Sequence, residues 1–238
     1  MELFITSLIL LSEYLGFIAF FALFLLGIKF LLKDRIKDFV WRKLMHLIAF
    51  FSIIPLTLYQ NNYLVSLIVC AMLLVLEVCS LLIFERFAWF KKLLVEKYPY
   101  EVLISLTLFY LSVGVSIYLG WGLYNLLYIP LCAVIVTGLG DASGALIGIP
   151  FGKHKVQGKL IDGTKSIEGS IAILLVSFIV TFILLIILNI YPWYYALLVG
   201  LSLGVASTIV ELFTKFNLDN ITITLVNTGL LMMFSLIL

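Results

Sequence analysis

Apolar residues follow one another in long runs that are separated by short polar stretches. The runs cover roughly residues 3–28, 44–60, 63–84, 101–119, 124–149, 168–190, 193–213 and 220–237. Most are close to the ~20 residues that an α-helix needs to cross a hydrocarbon core of ~30 Å. They are continuous rather than alternating, which favours helices over the strands of a membrane barrel. The pattern therefore predicts an all-α bundle of about eight transmembrane helices.

The composition points to the same environment. Hydrophobic residues make up 64% of the 238 residues and charged residues only 12%, and the mean hydropathy is +1.23. A soluble domain carries about 25% charged residues, so this chain has too few polar groups to cover a globule in water. We expect one integral-membrane domain over 1–238, with lipid around it and no nucleic-acid partner. The start, MELFITSLILLSEY, lacks a basic n-region, so a cleaved signal peptide is not expected.

The basic residues predict the topology. The connections near 60–62, 120–122 and 191–192 carry no Lys or Arg, and all 15 basic residues fall in the alternate connections. Eight spans place them on one face, which the positive-inside rule makes cytoplasmic. Several acids lie in or near the same half: Glu77, Glu101, Asp141, Glu211 and Asp219. The chemistry is therefore expected at the cytoplasmic face of a prokaryotic plasma membrane, or of the endoplasmic reticulum or a plastid in a eukaryote.

One stretch runs from Gly138 to Ser170 and reads GLGDASGALIGIPFGKHKVQGKLIDGTKSIEGS. It combines charged residues, which are costly to bury in a membrane, with glycines, which leave the backbone open to close contacts. Asp141 lies about ten residues before the predicted end of its helix, which is ~15 Å deep at 1.5 Å per residue. A carboxylate at that depth costs roughly 2.5–3.5 kcal/mol, so we expect it to face a cavity, a partner or a metal. A protonated acid that is hydrogen-bonded between helices is the alternative.

Three glycines accompany this acid. Gly140, Gly144 and Gly148 are four residues apart and share one helix face. Small residues at this spacing let membrane helices pack closely. The same bare backbone could admit a phosphate chain, and the adjacency of Asp141 favours that second interpretation.

The loop 150–167 is expected to contribute to the active site. Ser166 can cap the sixth helix, where free N–H groups and the helix dipole attract anions. Lys165 beside it is a natural phosphate partner. Glu168 in the first turn also suits the dipole, so capping alone accounts for part of the pattern. The chain contains no GxxxxGK[ST] motif, so a P-loop nucleotide site is not expected.

Charged residues on other helices are further candidates. Arg42, Lys43 and His46 are predicted to open the second helix, with Arg42 and His46 on one face. Cations at a helix end also snorkel to the interface without any function. Glu77 is more informative, because it is an acid within the apolar third run.

Three carboxylates are expected at comparable depth near the cytoplasmic face. Asp219 by itself is an ordinary N-cap of the last helix. Together with Asp141 and Glu211 it would form an oxygen-rich cluster without thiols. Such a cluster suits Mg²⁺ that is held together with substrate phosphates.

The order of these motifs resembles the membrane polyprenol kinases, the relatives of dolichol kinase and phytol kinase. The resemblance reaches from residue 42 to the C-terminus. It is carried by RKLMH at 42–46, GDASGALIG at 140–148, FGKHK at 151–155, KSIEGS at 165–170, VE at 210–211 and LDNITITL at 218–225. It implies γ-phosphoryl transfer, typically from CTP with Mg²⁺ or another divalent cation, to the hydroxyl of an isoprenoid alcohol in the membrane.

The resemblance also implies roles for single residues. Asp141 would be a metal ligand or the general base, and Lys165 would hold phosphates. Glu211 and Asp219 would complete the metal site. The expected nucleotide-binding residues are Gly140, Gly144, Gly148, Gly152, Lys153, His154, Ser166, Glu168, Gly169 and Asn220. Glu77 departs from the family, in which an acid is often followed three residues later by Arg, whereas Ser80 stands here; its role is open.

Two other functions compete with the kinase. A CTP:lipid cytidylyltransferase, such as CDP-diacylglycerol synthase, resembles the same Asp helix and Lys-x-x-Glu-Gly segment, but it usually ends in PGHGG…DR-x-D, where this chain has LDNITITL. A transporter or lipid-binding scaffold could use Asp141 as a coupling-ion site. Against it, the acids gather at one face with the lysines, and no paired repeat is evident.

Overall fold

The computed structural model describes residues 2–32, 35–58, 62–84, 86–87, 100–158, 161, 163–215 and 218–237. Its elements are α1 (Glu2–Leu32), α2 (Asp38–Phe51), α3 (Ile53–Leu58), α4 (Tyr63–Phe84), α5 (Glu101–Ser116), a π-helix (Ile117–Leu123), α6 (Tyr128–Phe151), α7 (Ile167–Ile187), α8 (Trp193–Phe213) and α9 (Asp219–Ile237). Five of the basic residues used for the topology lie outside these ranges: Lys33, Lys91, Lys92, Lys97 and Lys159.

The predicted bundle is confirmed. Within the described ranges, eight helical segments are long and apolar enough to cross a membrane, with α2 and α3 forming one span and α5 and the π-helix another. The predicted start of the second span, near residue 44, is wrong for the helix, which begins at Asp38. An apolar run marks only the part of a helix that suits lipid, whereas α2 continues beyond it through charged turns. Arg42, Lys43 and His46 therefore lie inside α2.

A proline explains the interruption of the second span. Pro55 has no N–H to donate to the carbonyl of Phe51, and its ring would clash with that carbonyl in a continuous helix. The helix accordingly stops at Phe51, and α3 starts at Ile53, one residue beyond Ser52. The break leaves Ser52 fully buried, with its hydroxyl 2.7 Å from that of Tyr14 on α1.

Helix α6 forms the centre of the bundle. It is buried from Tyr128 to Gly138 and packs against α2, α7 and α9. A polar contact in the core joins three helices, because Asn227 of α9 accepts a hydrogen bond from Ser207 of α8 (3.1 Å) and donates to Thr137 of α6 (3.4 Å). Buried side-chain amides and hydroxyls that satisfy one another in this way fix the relative positions of membrane helices.

Helices α7 and α8 approach each other closely because α8 presents glycines to α7. A Cβ atom on Gly204 would lie 2.7 Å from the carbonyl oxygen of Leu174, and one on Gly200 would lie 3.0 Å from that of Phe178. Both obstacles are backbone atoms, which cannot rotate away. This contact positions the end of α8 beside the start of α7.

We expect Gly204→Ala to destabilise the protein by about 1–3 kcal/mol, because the added methyl group would overpack the α7–α8 contact. Gly229→Ala is the matched control, since a Cβ on Gly229 of α9 would meet nothing within 4 Å. Thermal unfolding of the two variants in the same detergent measures the difference. Equal melting temperatures would contradict the assigned contact.

Candidate active site

A cavity of about 620 Å³ lies on the side of the bundle where the charged residues gather. Helices α6 to α9 and the loop before α7 contribute mainly polar groups and glycines to its wall. Helices α1, α4 and α5 contribute apolar side chains and the acids Glu77 and Glu101. The apolar residues on that side include Ile18, Ala22, Leu81, Leu106 and Phe109. The cavity thus joins a charged region to an apolar one.

Asp141 lies in the charged region, as expected for an acid inside a transmembrane helix. Its side chain projects from α6 toward α2, where the Nζ of Lys43 is 2.5 Å and the Nε2 of His46 is 3.0 Å from its Oδ2. The residue is 8% exposed and lines the cavity. A buried carboxylate needs opposite charge or hydrogen-bond donors, and α2 supplies both. Asp141 was expected to face a cavity, a partner or a metal, and it faces the first two.

Arg42 makes a different contact from that of its neighbour Lys43. Successive residues on a helix point about 100° apart, and Arg42 donates to the carboxylate of Glu101 at the start of α5. Glu101 is 1% exposed. The sequence indicated only that Glu101 lay in the cytoplasmic half; its pairing was missed. The sequence did hold one indication of this pair: Glu101 is an acid at the first position of an apolar run, and a helix elsewhere in the chain carries basic residues.

Lys165 and Glu211 form a further ion pair, with Nζ of Lys165 3.0 Å from Oε1 of Glu211. Lys165 also donates to the carbonyl oxygens of Glu211 and Thr214, the latter at 3.0 Å, at the C-terminal end of α8. A cation there is favoured by the helix dipole. The N-cap prediction for Ser166 is confirmed, since its Oγ accepts from the N–H of Gly169 at 3.2 Å. Four of these residues line the cavity, namely Lys165, Ser166, Gly169 and Glu211, whereas Thr214 does not.

The glycine face of α6 packs against α7. A Cβ on Gly140 would lie 2.5 Å from Ser177 Oγ, one on Gly144 would lie 2.6 Å from Ile173 Cδ1, and one on Gly148 would lie 3.1 Å from Ser166 Oγ. Close helix packing therefore explains the spacing. Gly144 and Gly148 also line the cavity, whereas Gly140 does not. Their predicted contact with phosphate stays a prediction.

Besides Gly140, four predicted nucleotide-binding residues are not among those that line the cavity: Gly152, Lys153, His154 and Glu168. His154 is largely exposed, at 73% of its side chain, and its Nδ1 lies 2.7 Å from Oε1 of Glu168. Its backbone N–H also donates to that carboxylate at 3.2 Å. The pair holds the loop to the first turn of α7. Nucleotide binding by these residues stays a prediction.

The three predicted metal ligands, Asp141, Glu211 and Asp219, all line the cavity. In the described part of the chain, however, no three Asp, Glu, His or Cys side chains are close enough to hold a metal ion. Asp141 and Glu211 are instead paired with cations. The residues do not form a preassembled metal site, and the Mg²⁺ assignment stays a prediction. Mg²⁺ commonly depends on one or two carboxylates and on the oxygens of substrate phosphates.

Asn220 and Glu77 each present a polar oxygen that no described residue bonds. Asn220, at the second position of α9, is 5% exposed, and no described group bonds its Oδ1. Glu77 on α4 accepts a hydrogen bond from Tyr110 through Oε1 (2.7 Å), while its Oε2 is buried and has no partner among the described residues. Both residues line the cavity. Such atoms cost free energy unless a ligand or water bonds them.

The fold and the cavity define a polytopic helical membrane protein with a charged site inside the bundle. The chain is similar to a protein named phytol kinase from Synechocystis sp., with 32% identity over 126 residues. The match spans about half the length of each chain, 50% in both. No protein-family profile matches the chain. No solved structure matches it either.

Proposed function

We propose that this protein is a membrane kinase that transfers the γ-phosphoryl group of CTP to the hydroxyl of an isoprenoid alcohol at the cytoplasmic face. The alcohol would be a polyprenol such as dolichol, or a shorter one such as phytol or geranylgeraniol. The observation that carries the proposal is the cavity, since it brings buried charges and apolar walls together. A water-soluble triphosphate and a lipid-dissolved alcohol need both surfaces in one place. The similarity to a protein named phytol kinase supports the same reaction class.

The charged region suits a triphosphate. Phosphoryl transfer depends mainly on positioning and on neutralising negative charge. Lys43, His46 and Lys165 place cationic or hydrogen-bonding groups around the cavity. Asp141 holds the first two, and Glu211 holds the third. Lys43, His46 and Lys165 would bind phosphate oxygens in place of some of their present contacts with Asp141 and Glu211.

The reaction leaves a phosphate monoester. The alcohol oxygen bonds to the γ-phosphorus, the bond from that phosphorus to the β–γ bridging oxygen breaks, CDP leaves, and the hydroxyl proton passes to a base or to water. Asp141 is proposed to act on the phosphate side, as a metal ligand or as that base. A divalent cation bound with the triphosphate would neutralise further charge on its phosphates.

The proposal is tested with purified protein in detergent. CTP labelled in the γ- or α-phosphate is supplied with dolichol, phytol, geranylgeraniol or diacylglycerol, and the labelled lipid is identified. We expect γ-label in an isoprenoid monophosphate and no α-label in lipid. α-Label in a CDP-lipid would show a cytidylyltransferase instead. No label in any lipid, with any nucleoside triphosphate, would refute the kinase.

A further inference from the structure

We propose that Glu77 binds the hydroxyl of the acceptor alcohol through the free oxygen of its carboxyl group. This inference rests on the proposed function and assigns a role to a residue that the motifs left open. Glu77 would be the single polar contact of a ligand whose remaining atoms are apolar.

One oxygen of the Glu77 carboxyl group is held in place by a chain of hydrogen-bonded hydroxyls. Tyr110 of α5 donates to Oε1 at 2.7 Å, the hydroxyl of Tyr110 lies 3.0 Å from that of Tyr14 of α1, and Tyr14 lies 2.7 Å from Ser52 Oγ. Four segments of the chain thus meet in one hydrogen-bonded row. Tyr14, Ser52 and Tyr110 are buried. The row positions the carboxyl group without using its second oxygen.

The second oxygen needs a bonding partner that the described residues do not provide. Oε2 is buried and unbonded, and its residue lines the cavity. Leaving such an oxygen unpaired costs free energy. An alcohol group fits in either protonation state of the acid, since a hydroxyl both donates and accepts.

The surroundings of Glu77 suit the apolar body of such an alcohol. Ile18 and Ala22 of α1, Leu81 one turn further along α4, and Leu106 of α5 line the same cavity. A chain of hydrocarbon units could replace water along these side chains. Helix α1, which carries none of the recognised motifs, then forms part of the acceptor site.

A row of rings connects this position with the charged region. His46, which contacts Asp141, lies 4.5 Å from the ring of Phe50, and Phe50 lies 4.8 Å from Phe109. Phe109 lies 5.1 Å from the ring of Tyr110, whose hydroxyl bonds Glu77. Packed rings thus link the neighbourhoods of Glu77 and Asp141, and both residues line the same cavity. A hydroxyl held by Glu77 would therefore share that cavity with the groups proposed to bind phosphate.

Glu77→Met tests the assignment, because it keeps the length of the side chain and removes both oxygens. We expect the KM for geranylgeraniol to rise about 10-fold or more and the KM for CTP to stay within about 2-fold, since a hydrogen bond to the acid contributes only to alcohol binding. Equilibrium binding of tritiated geranylgeraniol, measured without nucleotide, should weaken by the same factor. Glu77→Asp, which withdraws the oxygen by one methylene, should act in the same direction but less.

The matched control is Glu13→Met. Glu13 of α1 also has a buried carboxylate oxygen without a described partner, but it does not line the cavity. Its replacement should leave both KM values and alcohol binding unchanged. Gel filtration and thermal unfolding check the folding of each variant, and Glu77→Asp decides alone if Glu77→Met does not fold.

The outcomes separate this inference from the kinase proposal. If wild-type protein phosphorylates the alcohol and the folded Glu77 variants keep its KM and its binding, the inference is wrong and the kinase stands. If the alcohol binds in a Glu77-dependent way but no phosphate is transferred, the alcohol site stands and the kinase is wrong. Failure of wild-type protein to bind any alcohol overturns both.

Discussion

Asp141→Asn is expected to lower kcat/KM for phosphoryl transfer from CTP to the isoprenoid alcohol by about 100-fold or more. Asparagine keeps the shape of the side chain but removes the negative charge that now holds Lys43 at 2.5 Å and His46 at 3.0 Å. Loss of one preorganised group in a buried site typically costs about 10²–10³ in rate. Initial rates with γ-labelled CTP, compared at equal amounts of folded protein, measure the effect.

Asp38→Asn is the control for this change. Asp38 lies in the first turn of α2, on the same side of the bundle, but is exposed and does not line the cavity. Its replacement should alter kcat/KM less than 2-fold. Near-normal turnover by a folded Asp141→Asn variant would remove Asp141 from the proposed reaction.

Lys165→Ala is expected to raise the KM for CTP about 10-fold or more and to leave the KM for the alcohol within about 2-fold. Lys165 directly precedes Ser166, the N-cap of α7, and lines the charged region of the cavity. Its loss removes a charge-assisted contact to phosphate. It also leaves Glu211 buried without its cation, so unfolding must be measured beside the kinetics.

Lys155→Ala gives the comparison. Lys155 is in the same loop and also donates to a carbonyl oxygen, that of Thr164 at 3.0 Å, but it is exposed and is not part of the cavity wall. If both variants change the KM for CTP equally, the effect comes from the charge of the loop and not from a contact of Lys165.

Much of the fold could be predicted from the sequence, because lipid imposes a simple rule on the chain. Backbone groups in the hydrocarbon core must be bonded within the segment, so long apolar runs become helices. All eight predicted spans are present. The start of α2 at Asp38 could not be predicted from an apolar run, because the first turns of this helix carry charged residues and show no apolar pattern.

The candidate site was predicted less completely. Asp141 and Ser166 were identified because a buried acid and an N-cap each follow from local chemistry. The partners of Asp141 were not identified, because Lys43 and His46 belong to a helix almost a hundred residues earlier in the chain. The glycine spacing fitted two interpretations, and only the position of α7 shows the packing contact.

The sequence by itself determined the membrane environment, the number of spans and the segment that carries the acid, since these depend on hydropathy and on local hydrogen bonding. Only the tertiary structure decided which charges pair, that the cavity joins Asp141 to an apolar region, and that Glu77, which lines the cavity, has one buried oxygen that no described residue bonds. Those features depend on how the helices are rotated and placed relative to one another. That arrangement is set by small energies spread over many contacts, and no single stretch of sequence encodes it.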